Sequence, residues 1–126
     1  METEFIPYEQ ALALKELGFD EPCLGYYVTV EVPNPFLVTT KISDTQGGYF
    51  TFAPLYQQCF RWFREKYGLH VIIDEEIRPQ IKDSNSKLLF EYTKDGKYAG
   101  FEYEEAELEC LKKLIEIVKE NGKVNI

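Results

Sequence analysis

The chain has 126 residues, with 14 basic and 22 acidic side chains and a net charge of −8. Its length suits one domain, and its hydrophobic (44%) and charged (29%) fractions exclude a disordered chain. Binding to extended nucleic acid is disfavoured because it needs a basic face. No apolar run approaches the ~20 residues of a membrane span, and the acidic start does not resemble a secretory signal. We therefore expect one globular cytoplasmic domain, residues 1–126, without a membrane partner.

The first predicted element is a helix over about residues 8–17. Pro7 suits its start, and Gly18 suits the left-handed residue just after its end. Runs of β-branched and aromatic residues then predict extended strands at 26–32, 36–42 and 49–52.

The clearest predicted element is a second helix over about residues 54–67, in which aromatic residues recur at spacings of three and four. A third helix is predicted over about 103–120 from its stripe of leucine, isoleucine and valine. Between them the sequence predicts a buried strand at 70–74, a polar loop at 75–87 and a hairpin at 88–101. Helices and strands do not alternate as in a doubly wound fold, so we predict an α+β fold with a mainly antiparallel sheet packed with three helices.

The residues needed for catalysis are scarce. His70 is the one histidine, and the three cysteines are far apart with no C-x-x-C pair. These counts argue against a zinc ribbon, a disulfide framework, a two-histidine metal site and a histidine-dependent triad. Acidic clusters at 74–76 and 102–107 offer metal-binding oxygens, but an exposed strand end and a helix start matched to the helix dipole account for them. We expect no catalytic residue, metal or cofactor.

The basic and aromatic part of the second helix is the candidate binding site. Arg61 and Arg64 are three residues apart, so both guanidinium groups emerge on one helix face, and Lys66 adds a third positive charge. Guanidinium groups bind phosphate or carboxylate through two hydrogen bonds, and the ring of Trp62 can stack on a base. The alternative is an ordinary amphipathic helix whose arginines are solvated or paired with glutamate.

Tyr26 and Tyr27 are the second pair of candidate binding residues. Alternation along a strand sends one ring toward the core and the other outward. The outward ring is predicted either to stack on a ligand or to cover a neighbouring strand.

Three stretches resemble a family of small uncharacterised proteins encoded by phages and prophages of gut anaerobic bacteria. They are residues 7–23 (PYEQALALKELGFDEPC), 61–69 (RWFREKYGL) and 103–115 (YEEAELECLKKLI). The chain departs from the family at Glu102, where a small polar residue usually begins the helix. The resemblance implies a protein of the host-cell cytosol and brings no catalytic motif.

The basic and aromatic helix and the scarcity of catalytic residues favour a non-enzymatic binding protein, and the resemblance implies that it is of phage type, with a role against host defence. We expect it to sequester a small phosphorylated, nucleotide-like ligand, in a site completed across a homo-oligomer interface. The main alternative is a protein–protein inhibitor or adaptor that acts on a host protein through an acidic and aromatic surface. A metal enzyme using the acidic clusters and a virion or replication accessory protein without a ligand remain open as alternatives.

Overall fold

The computed structural model describes residues 4–28, 35–39, 50–74, 79–93 and 102–124. These ranges contain three helices and two three-stranded antiparallel sheets, which confirms the predicted α+β class. The chain divides into two compact units, residues 1–56 and 57–126. The prediction of a single domain stays a prediction.

The first unit joins one helix to a small sheet. Its elements are α1 (Tyr8–Glu16), β1 (Gly25–Val28), β2 (Phe36–Val38) and β3 (Phe50–Ala53). β1 is the central strand of the order β2-β1-β3, and both pairings are antiparallel. α1 packs on β3, and the buried apolar residues of this unit include Phe5, Ile6, Ala11, Leu14 and Phe19.

The end of α1 is fixed by a left-handed glycine. Gly18 has a φ of 99°, a conformation that a residue with a Cβ adopts only with strain. The amide of Gly18 donates to the carbonyl of Lys15 (3.1 Å), and the amide of Phe19 donates to that of Leu14 (3.0 Å). This pair of bonds is a Schellman motif, so the predicted role of Gly18 is confirmed.

β1 begins at a glycine because a neighbouring ring leaves no room for a side chain. A Cβ on Gly25 would lie 2.8 Å from Cε1 of Phe5 and 3.2 Å from Cδ1 of Leu37. Phe5 is itself buried, and it forms an isolated antiparallel bridge with Leu55. The segment before α1 is thereby tied to the sheet.

The second unit contains two helices and the second sheet. Its elements are α2 (Tyr56–Tyr67, which begins at the junction of the two units), β4 (His70–Ile72), β5 (Gln80–Lys82), β6 (Leu88–Glu91) and α3 (Tyr103–Val124). β5 lies between β4 and β6 and pairs antiparallel with both. α3 packs on β5, whose Ile81 is fully buried.

The loop predicted over residues 75–87 is wrong, because it contains β5, the central strand of the second sheet. β5 offers only Ile81 as an apolar residue between Gln80 and Lys82, which is too short an alternation to stand out. The strand is held by pairing on both sides and by a hydrogen bond of 3.0 Å from Gln80 Nε2 to Glu91 Oε2 on β6. Residues 83–86 do form a turn, closed by the amide of Ser86 donating to the carbonyl of Asp83.

The strands predicted for the first sheet fall only partly on described residues. β1 and β2 are followed to Val28 and Val38, and residues 29–34 and 40–49 lie outside the described part. The predicted hairpin turn at residues 95–96 also lies outside it, although β6 forms the first predicted arm.

Candidate functional site

The geometry of α2 separates a buried stripe from an exposed polar face. Tyr56, Cys59, Trp62 and Phe63 are buried at spacings of three and four, whereas Gln57, Arg61, Arg64 and Glu65 are exposed. The helix ends at Gly68, which has a φ of 68° and donates its amide to the carbonyl of Arg64 (3.0 Å). The backbone carbonyl of Arg64 thus takes part in ending the helix, whereas the side chain of Arg64 lies on the exposed face.

Arg61 and Arg64 are brought together on this exposed face, as predicted. Among the described residues, no ion pair or side-chain hydrogen bond engages either guanidinium group. Glu65 lies on the same face, but it forms no ion pair with either arginine. The N–H donors of both guanidinium groups are therefore available to a binding partner in solution.

Lys66 lies apart from the arginine pair. Its Nζ is 5.0 Å from the ring centroid of Trp62 and 5.7 Å from that of Tyr67. Lys66 follows Trp62 by one helical turn, whereas it is five positions after Arg61 and thus points away from the arginine face. This ammonium is held over two aromatic rings by cation–π attraction.

Trp62 lies in the packed interior. It is only 7% exposed, and its ring meets Phe63 and Tyr67 edge-on at centroid distances of 5.1 and 5.5 Å. The ring therefore contributes buried area and aromatic contacts to the unit. This placement gives no support to the predicted stacking of Trp62 on a ligand.

Tyr26 and Tyr27 lie on opposite faces of β1, which confirms the predicted alternation. The hydroxyl of Tyr27 donates to the carbonyl of Ile6 (2.7 Å), and its ring meets that of Tyr8 at 5.5 Å. Tyr26 contacts Phe50 of β3 instead, at 5.9 Å between ring centroids. Tyr27 thus links the sheet to the chain before and at the start of α1. The ring of Tyr26 lies on the opposite face of the sheet.

The predicted site residues belong to two units. Tyr26 and Tyr27 belong to the first unit, and Arg61, Trp62, Arg64 and Lys66 belong to the second. The structure puts Arg61 and Arg64 on one exposed face of α2 and puts the ammonium of Lys66 over the ring of Trp62. A combined site with the tyrosines stays a prediction.

A cavity in the first unit is a feature that the sequence analysis missed. It measures about 460 Å³ and lies where the end of α1 faces β3; its lining includes Ala11, Lys15, Gly18, Phe19, Asp20 and residues 50–52. In the sequence, the residues before and after α1 give only helix-end signals. The one sign of this cavity in the sequence is that Lys15 and Asp20, which carry opposite charges, lie on either side of the predicted helix end at Gly18.

Three acidic residues of α3 form a hydrogen bond or an ion pair with another described side chain. The Tyr92 hydroxyl donates to Glu105 Oε1 (2.5 Å), and Lys112 and Lys113 pair with Glu109 and Glu116 at 3.2 and 3.4 Å. Within the described ranges, no group of three or more histidine, cysteine, aspartate or glutamate side chains is arranged to hold a metal ion. No helix in the same ranges is both long and apolar enough to cross a bilayer.

Comparisons with family models, with curated proteins and with solved structures find no match to this chain.

Proposed function

We propose that this chain is a non-enzymatic binding protein that captures a small phosphorylated, nucleotide-like ligand on the exposed face of α2. The observation that carries the proposal is the pair of exposed guanidinium groups, Arg61 and Arg64, one helical turn apart and engaged in no ion pair within the described residues. Each can donate two parallel hydrogen bonds to phosphate oxygens.

The net charge of −8 does not oppose such a site, because the field at a bound ion depends mainly on its nearest charges. Among the residues of α2, this exposed face carries the two arginines and one carboxylate, that of Glu65. Lys66 is engaged by aromatic rings and is assigned to the support of the helix end. The proposal therefore rests on the phosphate end of the ligand, and base stacking by Tyr26, Tyr27 or Trp62 is not part of it.

The resemblance to phage-encoded proteins supports a setting for this activity. A protein that binds a nucleotide signal in the cytosol of an infected cell lowers the free concentration of that signal and so weakens the defence that depends on it. We propose this sequestering role, with a homo-oligomer that encloses the ligand more fully than one exposed helix face can.

The test is calorimetric titration with nucleoside mono-, di- and triphosphates, cyclic dinucleotides and inorganic phosphate. Replacing both arginines with glutamine should weaken the binding of a retained nucleotide by roughly tenfold or more, because two charge-assisted contacts are lost. Replacing both with lysine keeps the positive charge but removes the two parallel N–H donors of each guanidinium group, so an intermediate affinity for the nucleotide is expected.

Lys87→Gln is the matched control, since it removes one exposed positive charge elsewhere in the second unit. It should bind as the unaltered protein does. Equal affinity of the double glutamine variant and the unaltered protein would show that the arginine pair is not the site. Failure of every nucleotide to bind would reject the proposed ligand class.

The second candidate function is inhibition of a host protein through surface contacts. Leu24 and Phe36 of the first unit are 70% and 50% exposed, so their apolar surface is available for burial against a protein partner. A partner attracted by the acidic surface should be released as salt rises. Capture of one host protein at low ionic strength, weakened by Leu24→Ser, would favour this function.

A further inference from the structure

The cavity of the first unit has the features of a ligand site. Its volume of about 460 Å³ lies within the range of small-molecule sites, roughly 300–1,000 Å³. Part of its lining is apolar, because Ala11 and Phe19 are buried there. A bulky apolar group can therefore be removed from water there.

Two opposite charges stand at this cavity because of the way α1 ends. Lys15 is in the last turn of α1, and the Schellman motif at Gly18 reverses the chain so that Asp20 lines the same cavity. Both side chains are exposed, and neither forms an ion pair within the described residues. A cation and an anion are thus both available to a ligand at the mouth of an apolar cavity.

A buried hydroxyl adds an independent indication. Thr51 lines the cavity and is 4% exposed, and no hydrogen bond engages its hydroxyl among the described residues. A buried polar group without a partner is unfavourable, and ligand sites commonly place such groups to bind a ligand atom. The strand register puts Thr51 on the same face of the sheet as Tyr27, which contacts the chain around α1.

We propose that this cavity binds a zwitterion with a bulky apolar side chain, namely a free apolar or aromatic amino acid. The ammonium of Lys15 pairs with the ligand carboxylate, and the carboxylate of Asp20 pairs with the ligand ammonium. The side chain enters the space between Ala11 and Phe19, and the Thr51 hydroxyl binds a polar atom of the ligand. This site shares no residue with the proposed phosphate site on α2.

The charges at the cavity favour this ligand over a phosphorylated one. A phosphate monoester carries nearly two negative charges at neutral pH. Lys15 supplies one positive charge, and Asp20 repels the anion. A ligand with one charge of each sign matches both side chains.

The test uses L-phenylalanine and L-tryptophan as probes in a titration followed by calorimetry or by NMR shifts. Phenylacetate and phenethylamine, which each keep one of the two charges, should bind roughly tenfold more weakly than phenylalanine. Lys15→Met and Asp20→Asn should each weaken phenylalanine binding to a similar extent, and Thr51→Val by a smaller factor. Adenosine monophosphate should not compete.

Lys87→Met is the control for the loss of one lysine charge, and the double glutamine variant of Arg61 and Arg64 separates this site from α2. Both should bind phenylalanine unchanged. The inference is overturned if neither amino acid binds, if phenylacetate binds as tightly as phenylalanine, or if Lys15→Met and Asp20→Asn bind normally. If the unaltered protein binds phenylalanine but no nucleotide, only the proposed phosphate site on α2 is rejected.

Discussion

The surroundings of Cys110 lower the reactivity of its thiol. It is fully buried on α3, and burial raises the pKa of its thiol to about 12, with Glu109 and Glu107 adding to the effect. The thiolate is the reactive form of cysteine, so this thiol is inert in the native protein. Helical spacing places Glu107 and Glu109 within one turn of Cys110, but the sequence could not show that packing against α3 buries the thiol completely.

The raised pKa predicts a loss of stability at high pH. Above about pH 9 the unfolded chain releases the thiol proton that the native protein retains, so the free energy of unfolding falls as pH rises. The slope due to this group approaches about 1.4 kcal/mol per pH unit. Urea unfolding between about pH 8 and 11 should therefore show a steeper decline for the unaltered protein than for Cys110→Ala.

Tyr103 also has a raised pKa, through burial and then Glu107, and it acts in the same direction. Both proteins retain this tyrosine, so the difference between their slopes isolates Cys110. Identical slopes would contradict the assignment.

At the scale of elements, the helices were predictable and one strand was not. α1 and α2 begin or end beside Pro7, Gly18 and Gly68, and their predicted bounds agree with the structure to within two residues. α3 continues four residues beyond its predicted end, to Val124. β5 has no such local signal, because its stability comes from two neighbouring strands that are distant in sequence. Pairing with distant strands leaves no periodic pattern in the sequence of β5, so the strand could not be predicted from it.

The end of α2 gives a test at this scale. Gly68 has a left-handed φ, and a Cβ there would collide with Oγ of Ser84. We expect Gly68→Ala to lower the free energy of unfolding by about 1–3 kcal/mol, as measured by urea denaturation. Adding Ser84→Ala should restore the part due to the collision and leave the part due to φ.

Ser84→Ala alone is the matched control. Ser84 is exposed, and its hydroxyl donates to the carbonyl of Gly68 at 3.4 Å, so this change should cost less than about 0.5 kcal/mol. A Gly68→Ala variant as stable as the unaltered protein would show that the helix end tolerates a side chain.

At the scale of the whole molecule, the excess of negative charge is the dominant electrostatic property. Eight unbalanced charges repel one another more strongly in the compact state than in the unfolded chain. Salt screens this repulsion, so raising KCl from about 20 mM to about 300 mM at pH 7 should raise Tm by about 2–4 °C. Scanning calorimetry measures this shift.

The same measurement near the sequence pI of about 4.7 is the control, because the net charge is then close to zero. The shift should largely disappear there. A fall in Tm with salt at pH 7 would mean that attractive ion pairs outweigh the net repulsion.

The candidate sites show the same division between local and distant information. Helical spacing alone was sufficient to place Arg61 and Arg64 on one face. It could not show that Trp62 is buried by Phe63 and Tyr67, because exposure depends on what packs against the helix. The cavity beside Lys15 and Asp20 depends on the placement of β3, some thirty residues later in the chain, and no local pattern indicates it.

The contact between Gly25 and the ring of Phe5 has a consequence for sequence change over evolution. The two positions occupy one volume, so neither can be judged by itself when variants of this chain are compared. A larger residue at position 25 collides with the ring of Phe5, and a smaller residue at position 5 leaves a cavity, so each change alone is harmful and the two together compensate. Substitutions at these sites should accordingly be inherited together.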